Sequence, residues 1–262
     1  MKFNHLVYSK EDGVLTITLN RPQVKNALNM ELIMELNQAI ELVRTDHEAR
    51  VIIITGAGDT FCSGGDLTFL ANLTKVDSEE EHAEMLTPFI AALIAIYRLE
   101  KPTIAAINGP AVGDGIEICL CCDIRIASEK ALFSEMFVRL GAMPILAGYY
   151  FLPRMVGLGK AYEMVFTGEA ILAQEAYRIG LVNRVVPEKE FTEAVKKLAG
   201  YLASGPTKTL GLIKKAVQYA LLSDLEGLSS YVLELQKISL KLDDSKEGIM
   251  AALEKRRPLF KG

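Results

Sequence analysis

From residue 51 the chain reads Val51-Ile52-Ile53-Ile54-Thr55-Gly56. Four consecutive β-branched aliphatics leave no wet face, so the run predicts a strand buried on both sides, as in a parallel sheet covered by helices. Its surroundings agree. Val14–Leu19 alternates apolar residues with Thr after a turn at Asp12-Gly13, which predicts an earlier strand ended by Arg21-Pro22. Asn29 then caps a helix whose apolar positions are Leu32, Ile33, Leu36, Ile40 and Val43. A helix over 79–99, a break at Pro102, a strand at Thr103–Ile107, a helix from about Gly113 and a strand at Asp123–Ala127 continue the alternation. The pattern predicts α/β architecture with right-handed crossovers. From Lys189 to Arg257 it is helical almost throughout, punctuated at Gly205-Pro206 and near Asp243-Asp244. The expected division is therefore an α/β core over 1–188 and a helical region over 189–262.

Half of the 262 residues are hydrophobic, enough for a large core. The formal net charge of −4 argues against a broad nucleic-acid-binding face. No window approaches the roughly 20 apolar residues of a membrane span, and the N-terminus lacks the apolar stretch of a secretory signal, so a cytoplasmic protein is expected. Cys119, Cys121 and Cys122 crowd one apolar stretch, and with Cys62 they read as buried thiols. Their spacing is wrong for zinc, and His5, His47 and His82 lie far from them in sequence. No metal, nicotinamide or flavin site is expected, and Gly109, Gly113 and Gly115 do not form a dinucleotide fingerprint.

Two loops carry the chemistry. In Phe61-Cys62-Ser63-Gly64-Gly65-Asp66, paired glycines let backbone approach a ligand, while Asp66 is equally readable as a helix cap. In Asn108–Glu117, a Gly-rich turn leads into a helix whose first N–H groups suit an oxyanion. Glu117 sits one turn inside an otherwise apolar helix, with Ile116, Ile118 and Leu120 around it. Burial there predicts a raised pKa and a general acid/base, with a structural ion pair as the alternative.

These loops also carry a resemblance to the crotonase (enoyl-CoA hydratase/isomerase) family. Asn20-Arg21-Pro22, Asn26-Ala27-Leu28, Phe61–Asp66, Asn108-Gly109 with Gly113 and Gly115, Cys122-Asp123, Phe166-Thr167-Gly168, Gly180-Leu181-Val182 and the tail through Lys255–Phe260 resemble its members in order and spacing. The resemblance implies a spiral of ββα units with a helical C-terminal trimerisation region, assembled as a homotrimer or hexamer. It implies an acyl-CoA thioester substrate, with coenzyme A part of that substrate and no separate cofactor. Gly65 and Asp114 N–H would form an oxyanion hole, and Glu117 would be the acid/base. Lys25, Ala27, Ser63 and Asp66 would lie along CoA, although an exposed lysine explains Lys25 nearly as well. Lys255 and Phe260 would reach the CoA of a neighbouring subunit.

The chain also departs from the family. Hydratases of this kind hold water between two glutamates, and the second position here is Phe137, which can neither activate water nor donate a proton. Glu135 lies two residues away, on the same face if the segment is extended. Residues 137–157 resemble the epoxyphenylacetyl-CoA isomerase branch, but Ile145 stands where that branch has an aspartate. Phe137, Ile145, Leu146 and Tyr149 would give an apolar wall suited to a bulky or cyclic acyl group, though core packing explains them as well. The Asp114 side chain reads best as a carboxylate favoured by the helix dipole, with a second site carboxylate as the alternative. The leading expectation is hydration or double-bond migration in an enoyl-CoA. The alternatives are an acyl-CoA decarboxylase or thioester hydrolase, or a non-catalytic CoA-binding protein.

Overall fold

The computed structural model describes residues 3–262. A hairpin of β1 (Leu6–Glu11) and β2 (Val14–Leu19) opens the chain, and Asp12 and Gly13 take the positive φ angles its tight turn requires. The helix α1 (Met30–Thr45) follows, with the Asn29 side chain accepting from Leu32 N–H as expected. Next come β3 (Val51–Gly56), α2 (Leu67–Leu73), α3 (Glu79–Arg98), β4 (Thr103–Ile107), β5 (Ala111–Val112) and α4 (Asp114–Cys121). After β6 (Ile124–Ser128) and β7 (Leu132–Ser134) come three short helices, α5 (Ala147–Tyr150), α6 (Leu152–Val156) and α7 (Leu158–Thr167). Then β8 (Ile171–Leu172), α8 (Ala173–Arg178) and β9 (Arg184–Val186) lead to α9 (Glu188–Ala203), α10 (Thr207–Ala220), α11 (Leu225–Ser239) and α12 (Asp243–Leu253).

The larger sheet has the order β1-β2-β3-β4-β6-β9, antiparallel only in the first pair. Because side chains alternate along a strand, the aliphatic run of β3 supplies two cores at once. Ile52 and Ile54 face α1, α3 and α4, whereas Val51 and Ile53 meet Val195, Ala199 and Ala203 of α9. The first helix of the C-terminal region thus covers one face of the sheet.

The chain is wound as successive ββα turns. After leaving the larger sheet it makes a second, shorter pairing before each helix. Leu28 bridges Gly65, Cys62 bridges Ala111, and Ala111 pairs with Phe133, all in parallel. This inner ladder joins the two loops. Phe61 and Cys62 N–H both donate to Pro110 O, and Val112 N–H donates to Cys62 O. Gly115 is obligatory at this crossing, because a Cβ there would run into the Cys62 carbonyl.

Candidate active site

Both loops leave the carboxyl ends of β3 and β4, and the inner ladder presses them together. A Cβ on Gly64 would lie 3.5 Å from Asp114 N, so the first loop packs directly on the start of α4. Gly113 enters that helix at φ +53°, a left-handed angle that suits glycine. The amides of Gly65 and Asp114 donate to no backbone carbonyl among the described residues. Both face the Asp114 carboxyl and favour its charged form.

Three acids gather at this point: Asp114, Glu117 and Glu135 are all buried. Glu117 is completely buried, and α5 is held against it. Its Oε2 accepts from Leu146 N–H at 2.8 Å and Ala147 N–H at 2.7 Å, and its Oε1 accepts from Gly148 N–H at 2.6 Å. Burial raises its pKa, and the three amides pull it back only part of the way. Among the described residues no cation pairs with it, so the ion-pair alternative fails.

One expectation is corrected here, and one open condition is decided. The Asp114 carboxylate is not simply favoured at a helix start: burial first, then the charge of Glu117, push its pKa up to about 7. Its Oδ1 has no hydrogen-bond partner. Desolvation outweighs the helix dipole because the group is sealed from water. Nor is the 135–141 segment extended. Met136–Leu140 is a 3-10 turn that begins at Glu135, so Glu135 turns inward to the acids. Phe137 is buried too, its ring 3.7 Å from the position a Cβ on Gly113 would take.

Ile145 joins Ile33, Leu36, Phe89, Leu93 and Asp114 around a cavity of about 10 Å³ between α1, α3 and α4. That is room for about one water, and of the expected apolar wall only Ile145 lines it. Tyr149 is 46% exposed, at the rim rather than in a wall.

The first loop's polar residues sort themselves plainly. Lys25 is exposed at φ +53°, and its carbonyl accepts from Ser63 N–H. Ala27 is buried, with its carbonyl accepting from Arg21 Nη1 at 2.6 Å. Asp66 caps α2 through Thr68 N–H and pairs with Arg21. Burial raises the pKa of Asp66, but those two contacts outweigh it and leave it lowered. Cys62 is pushed up to about 12 by burial and stays a thiol.

Lys255 and Phe260 are not brought to this site. Phe260 packs on Gly248, and the tail is tied down by Arg50, whose guanidinium donates to Phe260 O and Gly205 O. Arg50 precedes β3, at the opposite end of the strand from the two loops.

Sequence reasoning gave no structural role to two residues that hold the site in shape. Asn26 is completely buried; its amide donates to Ala57 O and Thr60 O, and its Oδ1 accepts from Arg21 N–H. Gly148 is the floor beneath two acids: a Cβ there would sit 2.9 Å from Glu117 Oε1 and 3.1 Å from Glu135 Oε1. The only signal for it was a small-residue pair, Ala147-Gly148, shortly after Pro144.

Stacked ββα turns with a buried carboxyl at the head of a Gly-rich helix define the crotonase class of enzyme folds. The family model described as enoyl-CoA hydratase/isomerase matches residues 9–262, and the chain belongs to that family. It is 38% identical to a crotonyl-CoA hydratase of Syntrophomonas wolfei, over 99% of each chain. It is 34% identical to a 1,2-epoxyphenylacetyl-CoA isomerase of Escherichia coli, over 96% of each. A solved enoyl-CoA hydratase of Bacillus anthracis superposes with a TM-score of 0.93 at 33% identity, covering 99% of this chain and 100% of that one.

Proposed function

We propose that the protein acts on an enoyl-CoA thioester, adding water across its double bond or moving that bond, by way of an enolate. The observation that carries this reading is the buried Glu117 carboxyl, one helical turn from Asp114, whose amide and that of Gly65 donate to no backbone carbonyl and face only the Asp114 carboxyl. Gly65 and Asp114 N–H polarise the thioester oxygen and take up the charge of the enolate. Glu117, with a raised pKa and three amides fixing its orientation, removes and returns a proton beside it. Coenzyme A enters with the substrate along Lys25, Ala27 and Ser63. Its acyl end lies toward Ile145 and Leu93, which must give way because the cavity as it stands is small.

Incubating the protein with a panel of enoyl-CoAs in heavy-oxygen water tests the reading. Label in a 3-hydroxyacyl product means hydration, and rearrangement without label means migration. Glu117→Gln should abolish either while CoA still binds. A variant as active as wild type would remove Glu117 as the acid/base. Release of carbon dioxide or free CoA in the same assay would favour the decarboxylase or hydrolase alternatives.

A further inference from the structure

Glu135 is the one acid of the cluster with nothing to hold it. Both of its oxygens are buried and neither has a hydrogen-bond partner. A carboxyl stripped of water without replacement bonds costs several kcal/mol if charged, so such a group is retained neutral or for use. Its place is specific. The 3-10 turn at Met136–Leu140 swings it over Gly148, where its Oε1 and that of Glu117 both approach the position of a single absent Cβ. The groups facing it are Glu117 and Asp114 of α4 and Tyr149 of α5, with Cys121 beyond Glu117, and none is a cation. Burial, then the charges of Glu117 and Asp114, keep Glu135 protonated well above the ordinary glutamate range.

We propose that Glu135 is the second proton-carrying group of the site, an acid that works opposite the base Glu117. This rests on the enoyl-CoA reading above, and it favours hydration over migration. Glu117 takes a proton from water as the water oxygen bonds to C3. The C2–C3 π pair moves to the enolate, whose oxygen lies at Gly65 and Asp114 N–H. The Glu135 carboxyl gives its proton to C2, the enolate collapses, and the proton held by Glu117 passes to Glu135. One water is consumed and both acids return to their starting states.

The test compares Glu135→Gln, Glu117→Gln and Asp114→Asn in the full chain, with crotonyl-CoA as probe and kcat, KM and pH profile as readouts. A required acid makes kcat fall as pH rises through its pKa. Glu135→Gln should lower kcat about 100-fold, the usual worth of one acid/base group, with KM little changed and that alkaline fall gone. Asp114→Asn, whatever its rate, should keep the fall. If Glu135→Gln matches wild type in rate and profile while Glu117→Gln is inactive, the proposal is overturned and the enoyl-CoA reading stands. If both variants remain active, the reading itself fails and the proposal with it. Should Glu135→Gln not fold, Glu135→Asp carries the test. A lowered rate with the alkaline fall retained supports the proposal, and an alkaline fall missing from the wild-type enzyme overturns it.

Discussion

At the scale of single residues, the site is a problem in burying acids. Asp114 is protonated more readily in the folded chain than in the unfolded one, where it titrates near 3.8. Its stabilising contribution is complete below pH 4 and is lost as pH rises toward 7. Ionised and buried at pH 8, it costs on the order of 2–4 kcal/mol relative to a neutral side chain. Asp114→Asn should therefore raise the melting temperature by several degrees at pH 8 and by much less at pH 5, as calorimetry at the two pH values would show. Gly148 carries a second prediction. The methyl of Gly148→Ala would press on Glu117 and Glu135 together, and Glu117 cannot shift without leaving the Gly148 amide. Turnover should drop about 100-fold with the circular dichroism spectrum unchanged, since misplacing a catalytic group by about 1 Å costs that much.

At the scale of elements, the proposed site depends on two loops from different strands being clamped. Asn26 ties the turn after β2 to the loop after β3 through the carbonyls of Ala57 and Thr60. Asn26→Ala would leave buried carbonyls unpaired at roughly 1–3 kcal/mol each. Chemical denaturation should show a loss of about 3 kcal/mol, with substrate affinity weakened as Ser63 and Gly64 drift. The elements themselves were largely legible. The β3 run, the Asn29 cap and the Pro102 break each act through neighbours in sequence, and each element formed within a residue or two of its expected bounds. The turn at Glu135 was not legible. A short 3-10 segment has no hydrophobic period, and its direction is set by Gly168 packing against Met136 and Arg139 some thirty residues on.

At the scale of the whole molecule, the C-terminal helices leave much apolar surface exposed on the single chain. The helix α9 is seated on the sheet, but α11 buries none of its residues, and Leu222, Leu225, Leu233 and Leu253 are each more than half exposed. Apolar surface on that scale needs a cover, and a trimer or hexamer of the 28.8 kDa chain would supply one. Light scattering should return three or six times that mass, and Leu233→Glu on α11 should lower it. Docking of the tail at the far end of β3 also means that Phe260 serves its own chain's fold, whatever it meets on a neighbour.

The alternation of buried strands and capped helices, the two Gly-rich loops and the carboxyl one turn into α4 were determined by the sequence alone, because backbone propensity and burial act over a few residues. The tertiary structure decided what those loops hold. It turned Glu135 inward beside Glu117, lifted Asp114 to about 7 and set Gly148 beneath two acids. Those outcomes depend on which groups share one dry volume, and no local pattern in the chain records that.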